Sequence, residues 1–190
     1  MAGHNKIGIR YAQALAGLAG ERNETDAAYA DMKSFVAAFD GSGDLRTMLK
    51  SPVIKADTKI AALKAVFGGT LSPITQLFFD KIVREQREKY LGEMAKSFLH
   101  QVDVSKGIYT VRVKTAAPLN AENRAKIQQL AKAELSAAGV KEIHIEETVD
   151  PSLIGGFIVT VDDKQIDTSF SHKLKELERT FSENIYVKNF

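Results

Sequence analysis

Residues 107–115 read Gly-Ile-Tyr-Thr-Val-Arg-Val-Lys-Thr, and here the hydrophobic period of the chain changes from helical to strand-like. Tyr109, Val111 and Val113 alternate with Thr110, Arg112 and Lys114, the pattern of a strand with one wet face. No such alternation occurs before residue 107. Upstream, every apolar stripe returns at the spacing of an amphipathic helix. Tyr11, Leu15 and Leu18 form the first, and Ala28, Met32, Phe35, Val36 and Phe39 the second. A short piece carries Leu45, Met48 and Leu49. Ile60, Leu63, Val66 and Phe67 follow, then Ile74, Leu77, Phe78 and Ile82, then Leu91, Met94, Phe98 and Val102. Gly20, Gly41-Ser-Gly43, Ser51-Pro52 and Gly68-Gly69 punctuate them, and Ser72-Pro73 reads as an N-cap with proline in the first helical turn. Connections this short favour antiparallel neighbours, so residues 1–105 are expected to form an all-α six-helix bundle.

Downstream, Pro118-Leu-Asn120 stops the strand, and Asn120 caps a helix carrying Ile127, Leu130, Ala131, Leu135 and Ala138, ended by Gly139. Ile143 and Ile145 alternate with His144 and Glu146 in a second strand. Asp150-Pro151 turns the chain, Gly155-Gly156 opens a third strand through Val161, and Asp162-Asp163-Lys164 makes a tight turn. A last helix begins near Ser169 with Phe170, Leu174, Leu177, Phe181 and Ile185 on one face. Ser169 suits its N-cap, and Asp167 adds negative charge near the helix N-terminus. Part of this stripe should dock on the sheet. Residues 106–190 thus read as a small α/β domain, with the boundary between Val104 and Gly107.

The 190 residues are 44% hydrophobic and 26% charged, a globular composition. The 26 basic and 24 acidic side chains leave a net charge of +2, too balanced for a protein devoted to neutralising phosphates. They do not segregate, with 14 basic and 12 acidic in residues 1–105 and 12 of each in 106–190. The absence of cysteine excludes disulfides, thiolate metal sites and cysteine nucleophiles, and fits a reducing compartment. No run approaches the roughly 18–20 apolar residues of a membrane span, and the N-terminus has no signal-peptide core. The expectation is a soluble cytoplasmic protein that meets a membrane only through a partner.

A search for chemistry finds no catalytic set. His4, His100, His144 and His172 are scattered, and the His172/Glu176 pair reads as a surface helix contact rather than a ligand set. No Gly-x-Ser-x-Gly elbow exists. Gly68-Gly69-Thr70 lacks a P-loop lysine and reads as a helix end. Gly155-Gly156 opens a strand rather than a helix, so its job is a positive-φ turn or a close backbone approach. Glu142, Glu146, Glu147 and Asp150 read as a solvated strand edge. Arg84, Arg87, Lys89 and Lys96, with Tyr90 among them, are interleaved with Glu85, Glu88 and Glu93, a solvent-facing helix surface whose field largely cancels. No Gly-x-x-Gly loop of a KH domain and no paired RRM aromatics occur in the C-terminal half. No cofactor is expected, and the reading points to a binding or structural protein.

Two stretches carry a specific resemblance. Arg10-Tyr-Ala-Gln-Ala-Leu15 resembles the opening of the delta subunit of bacterial F-type ATP synthase, whose mitochondrial equivalent is the oligomycin-sensitivity-conferring protein. Asp150-Pro-Ser-Leu-Ile-Gly-Gly-Phe-Ile-Val159, then Ile166-Asp-Thr-Ser169, then Leu174 and Leu177, is similar to that family's C-terminal signature in order and spacing. Of this signature, Asp150, Gly155, Gly156, Asp167 and Ser169 are read as mainly structural. The chain departs from the family pattern in places: Thr168 stands where glycine is common, Glu85-Gln86-Arg87 where Asn-Gly-Arg is common, and Lys173 where arginine is frequent. The start at Met1 without an Arg- and Ser-rich leader looks bacterial.

The resemblance implies a non-catalytic stator subunit, one copy per complex, on the cytoplasmic face of the bacterial inner membrane. The helical bundle would hold the N-terminal helix of an alpha subunit in a groove between the first and fifth helices. Ile7, Tyr11, Ala14, Leu15 and Leu18 would face Ile74, Leu77, Phe78, Lys81 and Ile82 there. The C-terminal domain would hold the peripheral-stalk b subunits, through Phe170, Leu174, Leu177, Phe181 and Ile185. The competing readings are a helical adaptor of another cytoplasmic assembly and an RNA-associated factor, the latter distinguished by steep salt dependence.

Overall fold

Among the described residues, six α-helices precede the first strand: α1 (Lys6–Glu21), α2 (Thr25–Gly41), α3 (Gly43–Lys50), α4 (Ala56–Phe67), α5 (Pro73–Arg84) and α6 (Leu91–Lys106), with a single 3₁₀ turn at Glu88–Tyr90. The computed structural model describes residues 6–69, 71–134, 139–161 and 164–182. The chain divides into two compact units, Met1–Ser105 and Lys106–Phe190.

In the first unit all six helices feed one core, in which Leu15, Met32, Phe35, Leu49, Leu63, Ile82, Met94 and Phe98 are buried. Phe35 sits at its centre, with ring centroids 5.7 Å from Phe67 and 4.9 Å from Phe79, the tilted packing aromatic pairs prefer. Where α6 begins, Gly92 lets the Phe39 ring approach to 2.5 Å of where a Cβ would stand.

Buried polar ties join helices far apart in sequence. Tyr29 on α2 donates to Asp103 Oδ1 on α6 at 2.7 Å, and that bond pushes the phenol pKa up to about 12. Asp31 on α2 accepts from both the backbone N–H and the hydroxyl of Ser72, at 2.8 and 2.6 Å. Ser72 is thus the residue before α5, as the Ser-Pro pair indicates, but its side chain makes no capping bond to its own helix. The carboxylate of α2 has taken that hydroxyl and satisfies the start of α5 from outside.

The deepest tie is Lys59 on α4, which is 1% exposed. Its ammonium donates to the carbonyls of Leu49 and Ser51 at 3.3 and 2.6 Å and to Glu88 Oε1 at 2.5 Å. It therefore binds the end of α3 and the 3₁₀ turn to α4. Glu88 is not part of a solvent-facing charge run, as its alternating neighbours suggest, because Lys59 draws it inward.

Two helices end in left-handed residues with paired return bonds. At α5, Gln86 has φ +56, its N–H donates to Val83 O at 3.0 Å, and Arg87 N–H donates to Ile82 O at 3.1 Å. At α1, Asn23 has φ +55 with the same pattern. Both are Schellman ends, which favour glycine and tolerate asparagine. Glutamine pays the Cβ penalty of the left-handed region, so Gln86→Gly is expected to stabilise the protein by about 0.5–1 kcal/mol, net of glycine's extra chain entropy. An unfolding midpoint in urea that does not rise would contradict this.

The second unit contains β1 (Ile108–Thr115), α7 (Ala121–Glu134), β2 (Glu142–Val149), β3 (Phe157–Val161), β4 (Lys164–Asp167) and α8 (Phe170–Ser182). The sheet order is β2-β1-β3-β4. β2 runs parallel to β1 with Val111 opposite Ile145, and β3 runs antiparallel with Val113 opposite Val159. This register puts Val111, Val113, Val159 and Val161 on one face, where Ile127 and Ala131 of α7 cover them. Asn120 caps α7, its Oδ1 accepting from Asn123 N–H at 2.8 Å.

Three expectations change in this unit, and others fall on residues outside the described ones. β4 is a strand, not just the lead-in to the last helix, and its residues Lys164-Gln-Ile-Asp167 pair with β3 through Ile166 opposite Val159. Leu130 of α7 is 40% exposed rather than packed. Leu135 and Ala138 of the expected α7 stripe, Asp162 and Asp163 of the expected turn, and Ile185 lie outside the described residues. The α8 stripe does not dock on the sheet: Phe170, Leu174, Leu177 and Phe181 are 54–83% exposed. α7 already occupies the apolar face of the sheet, leaving none for α8.

Candidate helix-docking surfaces

On α1, Gly8, Ala12, Leu15 and Ala19 point inward, while Ile7, Tyr11, Ala14 and Leu18 follow one another up the helix beside that buried face. Ile7 is 37% and Leu18 50% exposed. On α5, Ile74 and Ile82 are enclosed in the core, whereas Leu77 is 61% exposed, Phe78 is half-buried and Lys81 is exposed. Of the ten groove candidates, Leu15, Ile74 and Ile82 therefore fill the core. The surface that remains is Ile7, Tyr11, Ala14 and Leu18 with Leu77, Phe78 and Lys81.

Tyr11 links α1 to the end of α5. Its hydroxyl donates to Glu85 Oε2 at 2.7 Å and accepts from the Arg87 guanidinium, which also lies over the ring, 5.3 Å from its centroid. Glu85 also binds Lys81 at 2.9 Å, one turn earlier. The hydrogen bond to Glu85 raises the Tyr11 phenol above its ordinary pKa, while bonds from Lys81 and then Tyr11 hold the Glu85 carboxyl below its own. Glu85 and Arg87 are the residues of this site that periodicity does not single out. Their signal lay in the charge run after α5, which read as self-cancelling solvent surface.

The signature residues of the second unit form a backbone junction. Gly156 has φ +82, and a Cβ there would stand 2.5 Å from Thr168 O. A Cβ on Gly155 would meet the Phe170 ring at 2.6 Å. This close approach lets Phe170 N–H donate to Gly155 O and Thr168 N–H to Phe157 O, both at 3.0 Å. Ser169 caps α8 through His172 N–H at 3.2 Å, and Asp167 Oδ1 accepts from Ser169 N–H at 2.9 Å. The bonds from Ser169 hold the Asp167 carboxyl below its ordinary range. Asp150 Oδ1 accepts from the N–H and hydroxyl of Ser152, closing the turn before Gly155. The junction fixes where α8 starts, and the apolar stripe of α8 is exposed.

Other polar groups make local ties. Glu147 accepts from Leu119 N–H at 2.7 Å and from Arg124 at 3.2 Å, anchoring the approach to α7. His144 stands 3.6 Å from Glu142 on the exposed side of β2. Among the described residues no three His, Cys, Asp or Glu side chains could hold a metal ion, and no helix is long and apolar enough to cross a membrane. The geometry offers two outward apolar helix faces, one on α1 and α5 and one on α8.

The sequence pattern of the family described as ATP synthase delta (OSCP) subunit matches residues 7–181. Curated proteins called ATP synthase subunit delta are similar along nearly their whole length. That of Christiangramia forsetii is 35% identical over 178 residues, covering 94% of each chain. That of Rhodospirillum rubrum is 33% identical over 178 residues, covering 93% of this chain and 94% of the relative. In a solved structure of the Toxoplasma gondii mitochondrial ATP synthase hexamer, one chain shares the fold with a TM-score of 0.74 at 20% identity, covering 94% of this chain and 98% of that one. The chain therefore belongs to the ATP synthase delta (OSCP) subunit family.

Proposed function

We propose that this chain connects the catalytic head of an F-type ATP synthase to its peripheral stalk. Membership of the delta family makes it a non-catalytic stator subunit of that complex. The finer reading is that α1–α6 act as one six-helix bundle and seat the N-terminal helix of an alpha subunit against Ile7, Tyr11, Ala14, Leu18, Leu77 and Phe78. The second unit then binds the b subunits along α8. The complex sits at the cytoplasmic face of a bacterial inner membrane, and this subunit, present once per complex, reaches the membrane only through its partners. A helical adaptor in another assembly is not favoured, because the family match spans residues 7–181 rather than the helical unit alone.

The observation that carries the alpha-binding reading is the outward stripe on α1 and α5. Large apolar side chains 37–61% exposed on two helices tied together through Tyr11, Glu85 and Arg87 are what an amphipathic helix covers when it lies down with anchors a turn apart. A core that transmits torque must not deform, and the polar ties at Lys59, Asp31 and Tyr29 each fix a pair of helices in register.

Tyr11→Asp should weaken binding of an alpha-subunit N-terminal peptide by at least about 2 kcal/mol, the scale of an interface hot spot. The aspartate loses the ring surface and sets a carboxylate beside Glu85, at a residue packed on the edge of the core rather than inside it, and a melting temperature near that of the wild type checks that the bundle stays folded. Titration calorimetry giving an unchanged affinity would count against the groove.

A further inference from the structure

The surface between α1 and α5 is not uniform along its length. At the end of α5, Lys81, Arg84 and Arg87 stand with one carboxylate, Glu85, which already accepts from Tyr11 and lies 2.9 Å from Lys81 and 3.8 Å from Arg87. The side chains of Lys81 and Arg87 are 70% and 49% exposed, and Arg84 is exposed as well. Arg10, next to Tyr11 on α1, adds a fourth exposed cation on the rim. Glu88 is turned inward onto Lys59, so the exposed Glu93, packed beside Gly8 of α1, is the other carboxylate near these four cations. This end of the surface therefore carries a positive surplus although the whole chain is nearly neutral. Further along, α1 presents Leu18 and then the exposed Glu21, and α5 presents Leu77.

We propose that the cationic end formed by Arg10, Lys81, Arg84 and Arg87 around the Tyr11–Glu85 bond receives an acidic end of the docked helix, and so fixes the direction in which that helix lies. An apolar stripe alone does not set direction, because a two-turn pattern of anchors reads nearly the same from either end. Charge placed at one end does, by penalising the reversed pose in which carboxylates meet Glu21 and the cations face apolar or basic residues. The occupant is thus an amphipathic helix with carboxylates in one terminal turn or two. The inference rests on the reading that this surface seats an alpha-subunit helix, and it specifies the charge pattern that helix must have.

The test uses the full chain and a synthetic peptide of roughly the first 20 residues of the alpha subunit from the same organism, with affinity measured at about 50 mM and about 1 M salt. Arg84→Glu should weaken binding about fivefold or more at low salt, as expected when a rim charge is reversed. The gap should close at high salt, where the Debye length is about 3 Å. A peptide whose terminal Glu and Asp residues are replaced by Lys should bind Arg84→Glu better than it binds the wild-type chain. Melting temperature checks that the variant is folded, and because Arg84 is exposed the fold should not change. Equal affinities of wild type and Arg84→Glu at both salt concentrations, with the peptide bound, would overturn the charge reading and leave the groove standing. A wild-type chain that binds no peptide at either salt would overturn the groove and this inference together. A polyglutamate peptide of equal length that competes as well as the alpha peptide would also overturn it, because charge without the apolar stripe would then suffice.

Discussion

Lys59→Ala should destabilise the chain by about 3–5 kcal/mol, the range seen when one partner of a buried ion pair is removed. The ammonium is 1% exposed and satisfies three acceptors at once: Leu49 O, Ser51 O and Glu88 Oε1. Removing it strands the Glu88 carboxylate, whose side chain is 12% exposed and whose Oε2 already has no hydrogen-bond partner. It also leaves the last carbonyls of α3 without their donor. Glu88→Gln alone should cost less, because the amide can still accept from Lys59 and bears no charge. In Lys59→Met combined with Glu88→Gln, the methionine fills the apolar path of the lysine stem and no buried charge remains. That double variant should recover part of the loss, and a double-mutant cycle would give the coupling. Urea unfolding that shows less than about 1 kcal/mol lost in Lys59→Ala would mean that water reaches this site and that the tie is weak.

Replacing Leu174 and Leu177 together by Asp should abolish binding to the C-terminal segment of the stalk b subunits. If each is an interface anchor, the pair weakens affinity by at least about 100-fold. Both leucines are just over half exposed and belong to no core cluster, so the second unit should melt at an unchanged temperature. Alpha-peptide binding should also be unchanged, since that surface lies wholly within the first unit. Deleting residues 170–190 should have the same effect on stalk binding, but it also removes Phe170, whose ring covers Gly155. The point substitutions are therefore the cleaner comparison. Retention of stalk binding by the double variant in a pull-down would refute the assignment of α8.

The parts of this fold that could be read from the residues are those governed by local rules. Val111 and Val113 alternate with polar and charged neighbours, and they lie on one of the two inner strands. Asn120 and Ser169 cap their helices as short polar side chains before an apolar stripe do. Gly155-Gly156 marks a close backbone approach that only residues without a Cβ allow. The features that escaped depend on partners distant in sequence. A lysine at position 59 reads as exposed until Leu49, Ser51 and Glu88 are folded around it. β4 has one inward apolar residue, Ile166, too few for a period. The stripe on α8 was expected to share itself between sheet and solvent, but nothing in its pattern shows that α7 alone covers the apolar face.

The groove illustrates the same division. Periodicity identifies the apolar residues of α1 and α5, yet a stripe is wider than the face a helix buries. Leu15, Ile74 and Ile82 fall inside and Ile7, Leu18 and Leu77 outside, and only the packed neighbours decide which. Tyr11 stood out because a ring with a hydroxyl suits the edge of a groove. Its partners Glu85 and Arg87 lie more than seventy residues away, beyond any local pattern.

The most direct test of the connector role is reconstitution. Membranes bearing the ATP synthase of the same organism are stripped of their peripheral head and this subunit, then given back the head with or without the purified chain, and ATP-driven proton uptake is recorded. The account predicts that uptake returns only when the chain is present, and that the double Asp variant at Leu174 and Leu177 fails to restore it. Full uptake with the head alone, or none with the head and the wild-type chain together, would contradict it.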